Sequence, residues 1–145
     1  MPLKLSVVTA ERTVLEREDE QRLIVPTTEG QITLLPSHAA LMASLDIGEM
    51  IAVVDGRQDP IVVHGGFIQV LRDEVSVLAD AAEHVDEIDE TRAEAARQRA
   101  QERIEGRVTT DLAIDIGRAR RSLLRAQARI RARRRHGRGV PAAQA

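Results

Sequence analysis

The chain has 145 residues, one aromatic side chain (Phe67), no cysteine and a formal net charge of −2. That length allows one domain, or a small domain with an appendage. The lack of cysteine excludes disulfides, thiolate chemistry and Cys-ligated zinc. The scarcity of aromatics argues against base stacking on single-stranded nucleic acid.

No apolar run approaches the roughly 18 residues that span a bilayer. The start, MPLKLSVV, lacks the basic and long apolar regions of a signal peptide, so a soluble cytoplasmic chain is expected. Leu3, Leu5 and Val7 alternate with Lys4 and Ser6, the period of a half-buried strand. Thr13–Glu20 ends in a charge run, Glu16–Glu20, expected as a solvated edge or loop. Leu23–Val25 is a short apolar run stopped by Pro26, and Thr27–Gly30 has turn chemistry. Gln31–Leu35 returns to the strand pattern. Residues 38–45 read as a loop, and a strand runs from Gly48 through Val54. Asp55-Gly56 is a strong hairpin signal leading into Ile61–His64. Gly65-Gly66 permits positive φ or a close backbone approach. Phe67–Leu71 and Val75–Leu78 should pair across Arg72-Asp73. Short strands with turns about every ten residues indicate a sandwich or barrel.

After Ala81 the period becomes helical. Asp86 is the expected cap, with Asp89 three residues on in the manner of a capping box. Ala93, Ala96, Ala100 and Ile104 fall on one face. A break at 106–109 follows, with Thr110 able to cap the next helix and Asp111 favourable to its dipole. In that helix Leu112, Ile116, Ala119, Leu123, Ala126 and Ile130 form an a/d seam. Two such faces fit an antiparallel hairpin. Alanine fills much of the seam, and at about 0.8 kcal/mol per buried methylene the hairpin should be only marginally stable alone. The predicted layout is α+β: a β-domain at 1–85, a helical arm at 86–135 and a disordered tail at 136–145.

Charge is split along the chain. Residues 111–138 hold ten arginines against Asp111 and Asp115, a net +8 that leaves −10 for the rest. The basic helix should therefore meet an acidic surface. Arginines at this density would also suit nucleic acid, which is the second reading. Without aromatics and with a pI near 6.1 it is not the preferred one. His38, His64, His84 and His136 show no metal-ligand spacing, and no nucleophile-elbow motif is present. Gly65-Gly66 has no following lysine and reads as a strand feature rather than a phosphate loop. An enzyme is not expected, and no metal or cofactor is required.

A family resemblance rests on the order of several short motifs. These are Glu29-Gly30 with Leu35-Pro36-Ser37-His38-Ala39, then His64-Gly65-Gly66-Phe67-Ile68-Gln69-Val70, then Val75-Ser76-Val77-Leu78-Ala79-Asp80-Ala81-Ala82-Glu83, and last Ile88-Asp89-Glu90-Thr91-Arg92-Ala93. Over about residues 3–132 the chain resembles the epsilon subunit of bacterial F-type ATP synthase, whose mitochondrial counterpart is called delta. The resemblance implies a ten-stranded β-sandwich followed by a two-helix arm. It implies a non-catalytic place on the rotor stalk, against the gamma subunit and the c-ring, at the cytoplasmic face of the membrane and touching it only indirectly. It also implies that the arm restrains ATP hydrolysis when it extends toward the catalytic beta subunits.

Site residues follow from the same resemblance. Glu29, Gln31 and His38 would contact the c-ring or gamma. Gln31 stands where family members can carry an acidic contact, Ser37 where they have glycine, and Ala40 where they have proline. Arg118, Arg121 and Arg125 would form the inhibitory basic surface. Ile88, Asp89, Arg92 and Ala93 resemble an ATP-binding motif of some members, with Arg99, Arg125, Arg129 and Glu83 as partners. ATP would then be a regulatory ligand. Arg92 and Arg99 are seven apart and Arg125 and Arg129 four apart, so each pair shares a helix face. Guanidiniums converging from two helices suit a triphosphate. The plain alternative is that Asp89 caps a helix and the arginines are a solvated face.

Overall fold

A computed structural model describes residues 2–106 and the helix that follows, with side chains of that helix from residue 116 onward. The expected Thr110 cap, Asp111, the Leu112 seam position and the tail from 137 lie outside the described side chains. Two compact units meet between His84 and Val85.

The first unit contains eight strands: β1 (Leu3–Val8), β2 (Thr13–Glu20), β3 (Arg22–Thr27), β4 (Gly30–Leu34), β5 (Leu41–Val54), β6 (Arg57–Leu71), β7 (Glu74–Ala79) and β8 (Ala82–His84). Their order is β2-β1-β7-β6-β5-β3-β4, with β8 added beside β6. β1 and β7 run parallel, and every other pairing is antiparallel. The sheet curls into a sandwich around one core to which β1 through β7 all contribute. Leu3, Leu23, Leu34, Met50, Ile61 and Ile68 are fully enclosed there.

The strand count is eight rather than the ten that the resemblance implies, and two expected breaks are absent. β5 begins at Leu41 and continues through Gly48, so the segment expected as a loop is half strand. β6 continues through Gly65-Gly66 and joins the two expected strands on either side. The reason lies in pairing. β6 stays bonded to β5 from Arg57 to Val70 but exchanges its other neighbour, β8 at Ile61–Val63 for β7 at Gly66–Leu71. At the exchange the backbones crowd. A Cβ on Gly66 would stand 2.2 Å from the Leu78 carbonyl oxygen and 2.7 Å from Ala79 Cα, at a φ of +119°. Only glycine fits there. The Asp55-Gly56 turn is found as expected, both residues at positive φ in the manner of a type I′ hairpin.

Pro26 does not end β3. It pairs opposite Gln31 in β4, and the register with β5 shifts between Ile24 and Thr27, where the missing N–H is tolerated.

The charge run Glu16–Glu20 lies on the edge strand β2 with its first four residues exposed, as one of the two expected alternatives had it, but its last member is not solvated. A bulge inserts a residue into β2 between the partners of Leu5 and Leu3, namely Arg17 and Glu20. The slip turns Glu20 inward beside buried Leu3, leaving it only 1% exposed. Neither carboxylate oxygen has a hydrogen-bond partner. The Arg17 guanidinium stands 3.7 Å away and is itself committed to Asp59 at 2.8 Å. Burial raises the Glu20 pKa, the Arg17 charge opposes this, and Asp19 and Asp59 add to the rise.

In the second unit a 3-10 turn at Val85–Glu87 leads into α1 (Glu90–Ile104), and α2 spans Leu112–His136. The cap of α1 is Asp89 rather than Asp86, which lies in the 3-10 turn. Asp89 Oδ1 accepts from the Arg92 amide at 3.1 Å. Gly106, at a φ of +80°, closes the other end. Arg134 of α2 donates to Glu90 of α1 at 2.9 Å, and Arg133 to the Val85 carbonyl at 3.3 Å. The end of α2 therefore lies beside the start of α1, and the hairpin is antiparallel. Ala93 and Ala100 face Ala119, Ala126 and Ile130 in a buried seam, in which Ile104 and Leu123 are half-buried. Ala128 and Ala132 are buried as well.

Glu20 yields a signed prediction. A carboxyl with a raised folded-state pKa costs no stability when both states are protonated. The cost grows as pH rises from the unfolded value, near 4.5, through the folded one. Glu20→Gln should raise stability at pH 7 by about 1 kcal/mol, the order of a relieved buried polar group, and should match wild type near pH 4. Thermal melts of both proteins across this pH range check it.

Candidate functional site

Two surfaces collect the candidate residues. The first is the outer face of the sandwich. Cross-strand register places Met42 and Ser44 of β5, Phe67 and Gln69 of β6, Ser76 and Leu78 of β7 and Ser6 of β1 on one side of the sheet. Phe67 lies directly opposite Leu78, and both are more than half exposed, as is Met42 at 69%. The middle of this face carries no charge, and Lys4 and Glu74 sit at one border. A groove of about 550 Å³ runs along the other border, between Met42, Phe67, Ile32 and Glu29.

Glu29, Gln31 and His38 are all exposed. Glu29 is in the β3–β4 hairpin turn, held by its amide donating to Thr27 Oγ1 at 3.2 Å, and lines the groove. Gln31 opens β4 opposite Pro26. His38 follows Ser37, whose φ of +69° belongs to the left-handed region where glycine is at ease. The Ser37 amide donates to Asp73 Oδ1 at 2.6 Å, which holds that conformation. The apolar trio Met42, Phe67 and Leu78 is absent from the residues expected at this surface. Its signal is present in Phe67-Ile68, two adjacent large apolar residues where a one-sided strand would alternate.

The second surface is the hairpin. Asp89 is used as the cap and Ile88 is buried, with Ala93 in the seam. Arg92 and Arg99 are exposed on α1. Arg125 and Arg129 are half-buried on α2, and Arg125 donates to Ser122 Oγ at 3.4 Å. At 100° per residue, Arg92 and Arg99 flank the seam on the side of α1 opposite Glu94 and Arg97. Arg125 and Arg129 flank it on the side of α2 opposite Gln127 and Arg131. The four guanidiniums thus share one side of the hairpin. Glu83 belongs to β8 in the sandwich, where its Oε1 is 3.2 Å from His64 Nε2. Arg118 and Arg121 are exposed and share a face with Arg125, at spacings of three and four.

The opposite side of the hairpin holds a cleft of about 840 Å³ lined by Glu94, Arg97, Gln127, Ile130, Arg131, Arg134 and Arg135. Arg97 grips Glu94 with two bonds, Nε to Oε2 at 2.9 Å and Nη2 to Oε1 at 2.8 Å. That bond holds the Glu94 carboxyl below its ordinary range. Among the described residues no acidic or histidine cluster could hold a metal ion, and no helix is long and apolar enough to cross a membrane.

Two family models cover the chain. The one described as "ATP synthase, Delta/Epsilon chain, beta-sandwich domain" matches residues 2–85, and "ATP synthase, Delta/Epsilon chain, long alpha-helix domain" matches 86–133. The chain is 43% identical over 130 residues to the ATP synthase epsilon chain of Herpetosiphon aurantiacus, covering 90% of this chain and 93% of that one. It is 41% identical over 128 residues to the epsilon chain of Solibacter usitatus, covering 88% and 92%. Among solved structures, a chain of the Euglena gracilis mitochondrial ATP synthase superposes with a TM-score of 0.76 at 22% identity, over 88% of this chain and 78% of that one. A chain of the Tetrahymena thermophila mitochondrial ATP synthase central stalk and c-ring gives 0.59 at 14%, over 91% and 96%. At those identities the two structures speak to the fold.

Proposed function

Since the chain belongs to the delta/epsilon family of ATP synthase subunits, we propose that it is a non-catalytic subunit of the central stalk that docks through the outer face of its sandwich. Its partner on that face is the gamma subunit, with the c-ring against Glu29, Gln31 and His38. This would place it peripherally, at the cytoplasmic face of the membrane. The observation that carries the reading is the uncharged patch of Met42, Phe67 and Leu78. Large apolar side chains clustered on a face of small polar residues are what a protein interface core requires.

The arm supplies regulation in this reading. Arg118, Arg121 and Arg125 form a basic stripe suited to acidic segments of the catalytic beta subunits, and the contact would restrain hydrolysis. ATP would be the regulatory ligand of the closed hairpin, held by Arg92 and Arg99 from α1 and Arg125 and Arg129 from α2. What supports this is their common side across the seam. A ligand bridging both helices stabilises only the antiparallel state, by about 2.7 kcal/mol at a hundred times its dissociation constant. Asp89 keeps its capping role there.

Two measurements check these assignments. Phe67→Asp and Leu78→Asp place charge in the centre of the patch, and each should weaken binding to isolated gamma at least tenfold, with the sandwich still folded by circular dichroism. Unchanged affinity in both would put the interface elsewhere. Calorimetric titration with ATP should show binding to wild type and a loss of about tenfold in Arg92→Ala and in Arg125→Ala. No heat at millimolar ATP would leave the four arginines as a solvated face.

A further inference from the structure

We propose that the arginine cleft on the other side of the hairpin is a second anion site, and that it takes an oligophosphate chain. The donors come from both helices: Arg97 from α1, and Gln127, Arg131, Arg134 and Arg135 from α2. On α2 residues 127, 131 and 135 repeat at four-residue spacing, with 134 three beyond 131, so they form one row. From 127 to 135 that row is about 12 Å long at the helical rise, which suits an extended anion with several charges better than a single phosphate.

The guanidiniums are already held in place. Arg97 is fixed by its two bonds to Glu94, and Arg134 by its bond across the hairpin to Glu90. Each guanidinium has five N–H donors, so these bonds orient the group and leave further donors to face the cleft. Arg131 has no ion-pair partner among the described residues. The lining therefore presents four cations against Glu94, with Glu90 beside it. Ile130 is the only apolar side chain in the lining. An acidic peptide would find almost nowhere to bury apolar side chains, whereas a phosphate chain needs only charge and donors.

This site shares no residue with Arg92, Arg99, Arg125 and Arg129 and does not rest on ATP binding there. The probe is inorganic tripolyphosphate, titrated calorimetrically into the full chain at low salt. Wild type should bind, and Arg131→Gln with Arg135→Gln should weaken binding at least tenfold. Arg22→Gln with Arg57→Gln, exposed on the sandwich and outside both arginine sets, removes the same amount of charge and should leave it unchanged. No heat at millimolar tripolyphosphate, or an equal loss in both double variants, would overturn the proposal, the second result pointing to net charge alone. ATP and ADP as competitors identify the source. Competition that is lost in the Arg131/Arg135 variant would assign the phosphate chain to a nucleotide, and its absence would assign it to inorganic oligophosphate. All variants lie on exposed or half-exposed positions, and helicity by circular dichroism confirms that the hairpin is intact.

Discussion

The sandwich depends on one crowded crossing. β6 is bonded to β5 along almost its whole length, yet it must serve β8 before Gly65 and β7 after it. The exchange brings the β6 backbone against Leu78 and Ala79 so closely that no side chain can stand at Gly66. One residue later Phe67 emerges opposite Leu78. The same constraint that closes the core therefore also places the two largest apolar groups of the outer face side by side. Core and apolar outer patch are opposite sides of one strand: Ile68 and Val70 point in, Phe67 and Gln69 out.

The arm is built on different terms. Its seam is mostly alanine, so each contact removes little apolar surface from water. Ion pairs supplement it, including Glu94–Arg97 within α1 and Glu90–Arg134 between the helices. These are exposed, screened by salt and individually worth little. A hairpin held this way has its equilibrium within reach of ligands that bridge it. Arginines line both sides of the seam, so anion binding on either side would bias the hairpin the same way, toward closure.

Much of this was legible in the residues. The Asp55-Gly56 turn, the helical seam and the change of period after Ala81 follow from local chemistry, and the motif order pointed to the family. What was not legible came from long-range register. Glu20 reads as surface charge because nothing local announces the bulge that turns it inward beside Leu3. Gly48 and Gly65-Gly66 read as ends of strands because glycine punctuates more often than it bends, and only the exchange of partners explains why β6 continues. Asp86 and Asp89 are both plausible caps, and the 3-10 turn decided for Asp89. The apolar patch was hidden in the single step Phe67-Ile68, and the arginine cleft in an arginine-rich helix whose sides cannot be told apart before α1 is laid against it.

The central claim is that the chain carries two stabilities, a sandwich locked through β6 and an arm poised to open. Native-state hydrogen exchange on the full chain tests it directly. The amides of Val62, Val63, Ile68 and Val70 should exchange only through global unfolding, with strong denaturant dependence. Those of Ala100 and Ala126 should exchange by local opening, about a hundredfold faster or more and with little denaturant dependence. Equal protection and equal denaturant dependence in both sets would show a single cooperative unit and contradict the account.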